Sequence, residues 1–157
     1  MARDQGSDDD CIFCSIVRGR ATVSVVYDEE SVLAFLDIAP QSPGHTLVIP
    51  KLHAQWVAEV PAAVSARLLT AGIQIGEALR QLLRCPGVNF YIADGAEAGQ
   101  DVFHTHLHVI PRYADDGLGY RERSMPDRPP RDELDRMASH LGTTLAGPSV
   151  GQSSAIS

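Results

Sequence analysis

No run of about 18 apolar residues occurs in the chain, so an α-helical membrane span is not expected. The opening stretch, Met1 to Asp10, is polar and acidic and lacks an apolar core segment. It is therefore not read as a secretory signal, and a cytoplasmic protein is expected. Positive charge is also short. Against 20 Asp and Glu there are 13 Lys and Arg, a formal net charge of −7, which argues against non-specific nucleic-acid binding. Cysteine is scarce at three residues, and without a secretion signal these do not make a disulfide scaffold. There is no internal repeat, and no charged residue follows Gly142. What is present is ordinary for a globular protein: 157 residues, 44% hydrophobic, enough for one domain with a modest core.

Residues 1–10 are expected to be disordered, since four aspartates repel one another there and no apolar side chain anchors them. Cys11 to Arg18 reads as a short helix stopped at Gly19. Thr22–Tyr27, Ser31–Leu36 and Thr46–Ile49 read as strands, with Asp28-Glu29-Glu30 turning between the first two. Pro61 to Arg84 carries Val64, Leu68, Ile75, Leu79, Leu82 and Leu83 at helical spacing, with Pro61 suited to the first helical position. Gly72 and Gly76 share one face of that helix and each cost about 1 kcal/mol against Ala. Close packing against another backbone and a tolerated defect explain them equally well. Val88–Ala93 is a fourth strand, followed by a loop with two glycines and then a strand over Phe103–Ile110. Arg131–Leu141 is a second helix stopped by Gly142, and residues 143–157 form a flexible tail. The fold class is α+β: a mainly antiparallel sheet of about five strands, one long helix and a C-terminal helix, with the single domain spanning 11–142.

The chemistry concentrates in His104-Thr105-His106-Leu107-His108-Val109-Ile110. Strand alternation would line all three imidazoles along one face, roughly 6.5–7 Å apart, with Thr105, Leu107 and Val109 turned to the core. Three of the six histidines lie within these five positions, which is hard to reconcile with an incidental polar face. The run alone leaves a metal cage and a nucleophile both open.

A second constellation is Cys11-Ile12-Phe13-Cys14. It supplies two of the four ligands of a tetrahedral zinc, and His53 and His104 are the candidates for the others. The competing reading packs both thiols in the core. Cys85 reads as a buried structural thiol, having no second cysteine or histidine near it in sequence.

Taken with its neighbours, the histidine run resembles the signature of the histidine triad (HIT) nucleotide hydrolases and transferases. The resemblance is carried by His104–Ile110, Cys11–Cys14, Ala34-Phe35-Leu36-Asp37-Ile38, the stretch from Pro43 to His53, and Gly99-Gln100, in the family's order and spacing. It covers roughly residues 11 to 113. It implies a HIT-like fold, a homodimer joined through the long helix and the Val88–Ala93 strand, and a purine nucleotide substrate, with adenosine expected. His106 matches the family's nucleophile, His108 the contact to phosphate and leaving group, and His45 a histidine supporting the ring network. Asp37 matches the ribose-binding carboxylate, while Phe13, Phe35, Ile38 and Leu47 match the nucleoside walls. Gln100, Asp101 and Val102 match positions beside the phosphate. Zinc on Cys11, Cys14, His53 and His104 is implied as structural, and no organic cofactor is. Ala93 stands where the phosphoramidate-cleaving branch has Asn, Asp101 where it has Ser, and the C-terminal Trp is absent. The chain looks closer to bacterial members and to diadenosine-polyphosphate hydrolases.

The chemistry suits the residues. A neutral imidazole approaches a phosphorus ringed by negative oxygens more easily than a carboxylate does. The expected reaction is attack of His106 on the α-phosphorus, giving a nucleotidyl-histidine that water hydrolyses. One rival is a metal hydrolase or oxygenase ligated by His104, His106 and His108. The other is a nucleotide-binding scaffold or sensor with slow turnover.

Overall fold

The structure is a computed structural model that describes residues 10–118 and 129–145. The expected disordered start, most of the polar loop after Arg112, and the tail from residue 146 lie outside the described residues. Up to Leu118 the chain forms one unit, with elements α1 (Ile12–Val17), β1 (Val25–Asp28), β2 (Val32–Leu36), β3 (Thr46–Pro50), α2 (Ala62–Leu83), β4 (Gly87–Tyr91) and β5 (Leu107–Arg112). The five strands make one sheet of order β1-β2-β3-β5-β4, and every neighbouring pair is antiparallel. The expected α+β architecture is thus what the chain adopts.

β2 and β3 sit inside the sheet and are covered on both faces, which is why Val32–Phe35 and Thr46–Ile49 are unbroken apolar runs. Their side chains alternate between two clusters. Val32, Ala34 and Val48 join Leu107 and Val109 against Leu68, Ala71, Ile75 and Leu79 of α2. Leu33, Phe35, Leu47 and Ile49 pack instead with Phe13 and Ile16 of α1. Cys85 is buried in the first cluster, as its isolation in the sequence implied.

The ambiguity over the helix glycines resolves toward close packing. A Cβ on Gly72 would stand 2.5 Å from Leu107 Cδ2, and one on Gly76 would stand 2.6 Å from Phe90 Cζ. Both glycines let α2 approach β4 and β5. Pro61 lies one residue before the helix, as its N-cap, and its carbonyl accepts from the N–H groups of Val64 and Ser65. The helix ends on Arg84 in the left-handed region, at φ 55°.

Four strand boundaries differ from expectation by two residues or more, among them the end of the histidine strand, at Arg112 rather than Ile110. The first strand begins at Val25 rather than Thr22, because Ala21 and Val23 pack onto the α1-side cluster before the ladder with β2 starts. The histidine strand begins at Leu107 rather than Phe103. Pairing of β3 with β5 runs from Thr46↔Val109 to Val48↔Leu107 and stops two residues short of Pro50, which has no N–H to offer. Upstream of Leu107 the chain ties itself elsewhere: the His104 N–H donates to Val102 O (2.8 Å) and the Thr105 N–H to Ala54 O (2.6 Å). β4 ends at Tyr91, opposite His108, two residues short of the expected Ala93.

The second unit, from Gly119, contains α3 (Arg131–Leu145). This helix continues through Gly142, where a stop was expected. Ion pairs Arg136–Asp132 (2.9 Å) and Arg131–Asp135 (3.4 Å) support its first turns. Thr143 and Thr144 hydroxyls donate back to Ser139 O and His140 O, each at 2.9 Å, which carries the helix past the glycine.

Candidate active site

Pairing that begins only at Leu107 leaves just one of the three histidines within a strand. They share the α1-side face, as alternation implied: Phe13 meets both His104 and His106, His108 stands opposite Leu47, and Leu107 and Val109 join the α2-side cluster, although only His108 lies within β5. His106 and His108 have ring centroids 4.7 Å apart, much closer than strand spacing. His104 lies at the far end of that face, against Cys11 and Cys14.

Around His104 the four ligand atoms of Cys11, Cys14, His53 and His104 lie within 4.8 Å of one another. His104 Nδ1 is 3.5 Å from Cys11 Sγ and 3.6 Å from Cys14 Sγ, and His53 Nδ1 is 3.2 Å from Cys14 Sγ. A tetrahedral zinc with ordinary Zn–S and Zn–N bonds requires S···N separations of roughly 3.5 Å, so the donor set fits that ion. The outer side of the ring agrees: the His104 Nε2–H donates to Pro50 O at 2.9 Å, which leaves the Nδ1 lone pair facing the thiols. Packing of two thiols does not require this tautomer.

His106 is held differently. Its Nδ1–H donates to the backbone oxygen of His104 at 2.7 Å, so the unprotonated nitrogen is Nε2. Phe13 meets the ring edge-on at 5.3 Å and packs likewise on Phe35 at 5.5 Å, and Leu47 belongs to the same buried cluster. Burial holds the His106 pKa below 6.5, against the raising effects of the His104 carbonyl, Asp101 and Asp37. A neutral, tautomerically fixed imidazole results.

A hydrogen-bonded chain sets the state of His108. The Gln41 backbone N–H, which is always a donor, lies 3.2 Å from His45 Nδ1. That nitrogen therefore accepts, His45 Nε2–H donates to His108 Nδ1 at 3.0 Å, and the remaining proton of His108 is on Nε2. Asp37 Oδ2, 3.4 Å from His45 Nδ1, favours a charged His45 instead. Burial wins: His45 is 1% exposed and its pKa is lowered despite Asp37. His108 is pushed down to about 3, first by burial and then by the positive charge that His106 and His45 would carry. Asp37, His45 and His108 also present three donor atoms within 4.8 Å, but the two imidazole nitrogens facing each other already share a proton. The Asp37 carboxylate also accepts from the Ala39 N–H at 2.9 Å, a local turn that fixes its direction.

The glycine loop is self-contained. Gly99 N–H and Gln100 N–H donate to Ala96 O and Gly95 O, and Gly95 itself needs φ 103°, open only to glycine at low cost. Gln100 is buried, with its oxygen accepting from Gly95 N–H (2.8 Å) and its nitrogen donating to Gln55 O (3.0 Å). Both ends of this amide hold the loop in shape. Asp101 is exposed beside the loop, Val102 packs partly against the α1-side cluster, and Ile38 stands 92% exposed beyond β2. Sequence reasoning passed over Tyr91, which stacks on His108 with centroids 4.3 Å apart and planes 5° from parallel. The two residues are direct cross-strand partners, a relation that appears only once β4 and β5 are paired.

The rival triad of metal-ligating histidines does not survive this geometry. His104 points Nδ1 at the thiols, His106 uses Nδ1 on a carbonyl, and among the described residues no metal-competent group contains His104, His106 and His108 together.

Comparison with known proteins places these features in context. The HIT domain profile matches residues 18–115. The solved structure of a HIT family member from Bacillus subtilis is 38% identical, with a TM-score of 0.82, covering 88% of this chain and 99% of that one. A zinc-bound histidine triad family protein from Mycobacterium smegmatis is also 38% identical, with a TM-score of 0.68 over 90% of this chain and 100% of that one. The adenylylsulfatase HINT3 of Arabidopsis thaliana is 38% identical over 136 residues, 84% of this chain and 66% of the plant protein.

Proposed function

Because the chain belongs to the HIT domain family, we propose that it is a nucleotide hydrolase or nucleotidyl transferase working through a covalent nucleotidyl-histidine. The observation that carries this reading is the fixed tautomer of His106, whose Nδ1–H is tied to His104 O so that Nε2 is the attacking atom. The substrate class is a purine nucleoside phosphoramidate, acyl-adenylate or dinucleoside polyphosphate, with adenosine as the nucleoside. The plant relative, an adenylylsulfatase by name, supports a substrate with an adenylyl group on an acidic leaving group.

In the first step His106 Nε2 bonds to the α-phosphorus as the bond to the leaving group breaks. His108 starts neutral with its proton on Nε2 and gives that proton to the leaving group, while a solvent proton drawn in by the negative charge of the bound phosphate joins the hydrogen-bonded His45–His108 pair. In the second step water attacks the phosphorus and gives its proton to His108. The Nε2–phosphorus bond breaks and the nucleoside monophosphate leaves. Asp37 holds the ribose hydroxyls, and Phe13, Phe35, Ile38 and Leu47 line the base. Since the Gly99 and Gln100 N–H groups serve the loop, the developing charge falls to the N–H groups of Asp101 and Val102.

Zinc on Cys11, Cys14, His53 and His104 would cross-link α1 to the His104 segment and takes no part in the chemical steps. Its thiolate ligands suit the reducing cytoplasm, where we place the protein. β4 is an edge strand, and Phe90, Ile92, Leu69 and Ile73 beside it are exposed apolar residues. A second copy pairing there gives the homodimer, and sedimentation showing monomer alone at micromolar concentration would exclude it.

The test is rapid quenching during turnover of an adenosine 5′-phosphoramidate, then mass analysis under conditions that spare phosphoramidate bonds. One nucleoside monophosphate on His106 is expected. His106→Asn should still bind nucleotide while losing at least about a thousandfold in turnover, roughly 4 kcal/mol of barrier. Full activity in that variant sinks the mechanism, and tight binding with no adduct in the parent protein leaves the scaffold or sensor reading.

A further inference from the structure

We propose that Tyr91 is the positioning residue that holds His108 as leaving-group proton donor, by stacking on the face of its imidazole. The role assigned to His108 rests on the reaction above, whereas the positioning itself rests on geometry alone. Tyr91 and His108 face each other across the β4–β5 ladder, 4.3 Å between centroids and 5° from parallel. Each other neighbour of His108 is fixed too. His45 meets its Nδ1 at 3.0 Å, and His106 stands at 4.7 Å with its plane inclined by 57°.

The hydrogen bond from His45 pins one atom of the ring but allows rotation about the axis through it. A parallel aromatic plate removes that rotation, so Nε2–H keeps a single direction into the site. The same plate presents its negative face to the ring when His108 becomes cationic, which favours the protonated state the leaving group needs. The charged or titratable groups around the ring are Asp37, His45, His106 and Tyr91 itself. Only Asp37 carries a formal charge that favours protonation, so the aromatic face is the second favourable contribution.

Gln41 links the two halves of the arrangement. Its backbone N–H fixes the His45 tautomer, and its side-chain nitrogen lies 3.4 Å from the Tyr91 hydroxyl. That contact is long, so the ring plane rather than the hydroxyl is expected to carry the effect.

Two substitutions separate these contributions. Tyr91→Phe keeps the aromatic plate and loses the hydroxyl, while Tyr91→Leu keeps apolar cover and loses the plate. The first measurement is independent of turnover: ring ¹⁵N shifts of His108 in the full chain. The parent and Tyr91→Phe are expected to show one sharp Nε2-protonated set, and Tyr91→Leu, its tautomer still fixed by His45, a set shifted and broadened by ring motion. The second is hydrolysis of adenosine 5′-aryl phosphates of graded leaving-group acidity, together with an alkyl phosphoramidate. Tyr91→Leu should lose about 10- to 100-fold on the poorest leaving groups and less than about threefold on the most acidic. Tyr91→Phe should restore the parent slope. A residue that merely supports the fold would slow all substrates alike. Unchanged His108 shifts in folded Tyr91→Leu, or a uniform loss across the series, overturn the proposal. An absent His106 adduct in the parent protein overturns the nucleotidyl reaction instead, and the ring shifts still decide whether Tyr91 positions His108.

Discussion

Replacing Gly72 with Ala tests how tightly the long helix is pressed onto the histidine-bearing strand. Helix propensity alone favours the substitution by about 1 kcal/mol. The new Cβ, however, would stand 2.5 Å from Leu107 Cδ2, about 1 Å inside normal carbon–carbon contact. Leu107 is enclosed on most sides, and its one way out is an apolar cavity that it shares with Leu68 and Thr105. Leu107 is 4% exposed, packs among Leu68, Ala71 and Val109, and sits on β5 between β3 and β4. Overpacking of this kind costs about 1–3 kcal/mol, which the propensity gain offsets to a net loss of about 0–2 kcal/mol. Because Leu107 lies between His106 and His108, a displacement approaching 1 Å should also lower turnover by about 10- to 100-fold. Urea unfolding and steady-state kinetics measure the two effects. Two companion variants calibrate them. Gly76→Ala meets Phe90 at 2.6 Å, but that ring is 40% exposed and turns outward, so its loss should be under about 1 kcal/mol. Gly142→Ala meets nothing within 4 Å and should raise the helicity of α3, by about 1 kcal/mol of propensity. If Gly72→Ala matches the parent in stability while Gly142→Ala adds no helix, the packing argument is refuted.

Metal analysis of protein purified without chelator should give about one zinc per chain. Cys11→Ser/Cys14→Ser should lose it, with a larger fall in thermal stability than in the chemical step, and metal retained by that variant would place the ion elsewhere. Stability should also fall on acidification. His108 titrates at about 3 when folded against 6.5 unfolded, so between those values only the unfolded chain takes the proton. The contribution is fully present above pH 6.5 and is lost as pH falls through that window, about 1–2 kcal/mol by pH 5, with His45 shifting in the same direction. Urea midpoints that hold steady from pH 7.5 to 5 would contradict this. His108→Ala should cost little with acidic leaving groups and much more with amines, read as a steeper dependence of rate on leaving-group pKa.

Short-range chemistry was legible in the linear chain. The apolar runs of β2 and β3, the helical periodicity of α2, the Cys-x-x-Cys arm and the clustered histidines each depend on neighbours a few residues away. They therefore name the fold class and the reactive side chains directly. The pairing of His53 and His104 with that arm was also within reach, because a four-ligand ion leaves few candidates. Other features depend on contacts between distant segments. Alternation placed the three histidines on one face correctly, but pairing of β3 with β5 ends before Pro50, and only the freed segment brings His104 to the thiols and the His106 Nδ1–H onto the His104 carbonyl. Gly72 and Gly76 had two equal explanations until Leu107 and Phe90 were seen against them. Gln100 looked like a phosphate contact by position, but its partners Gly95 and Gln55 make it a brace for the loop. Tyr91 carried no signal at all, since residue 91 meets residue 108 only through the register of two strands. The physical division is one of range: propensity and residue type are local and readable along the chain, whereas register, tautomer and the partner of each polar group are decided by what folding brings alongside.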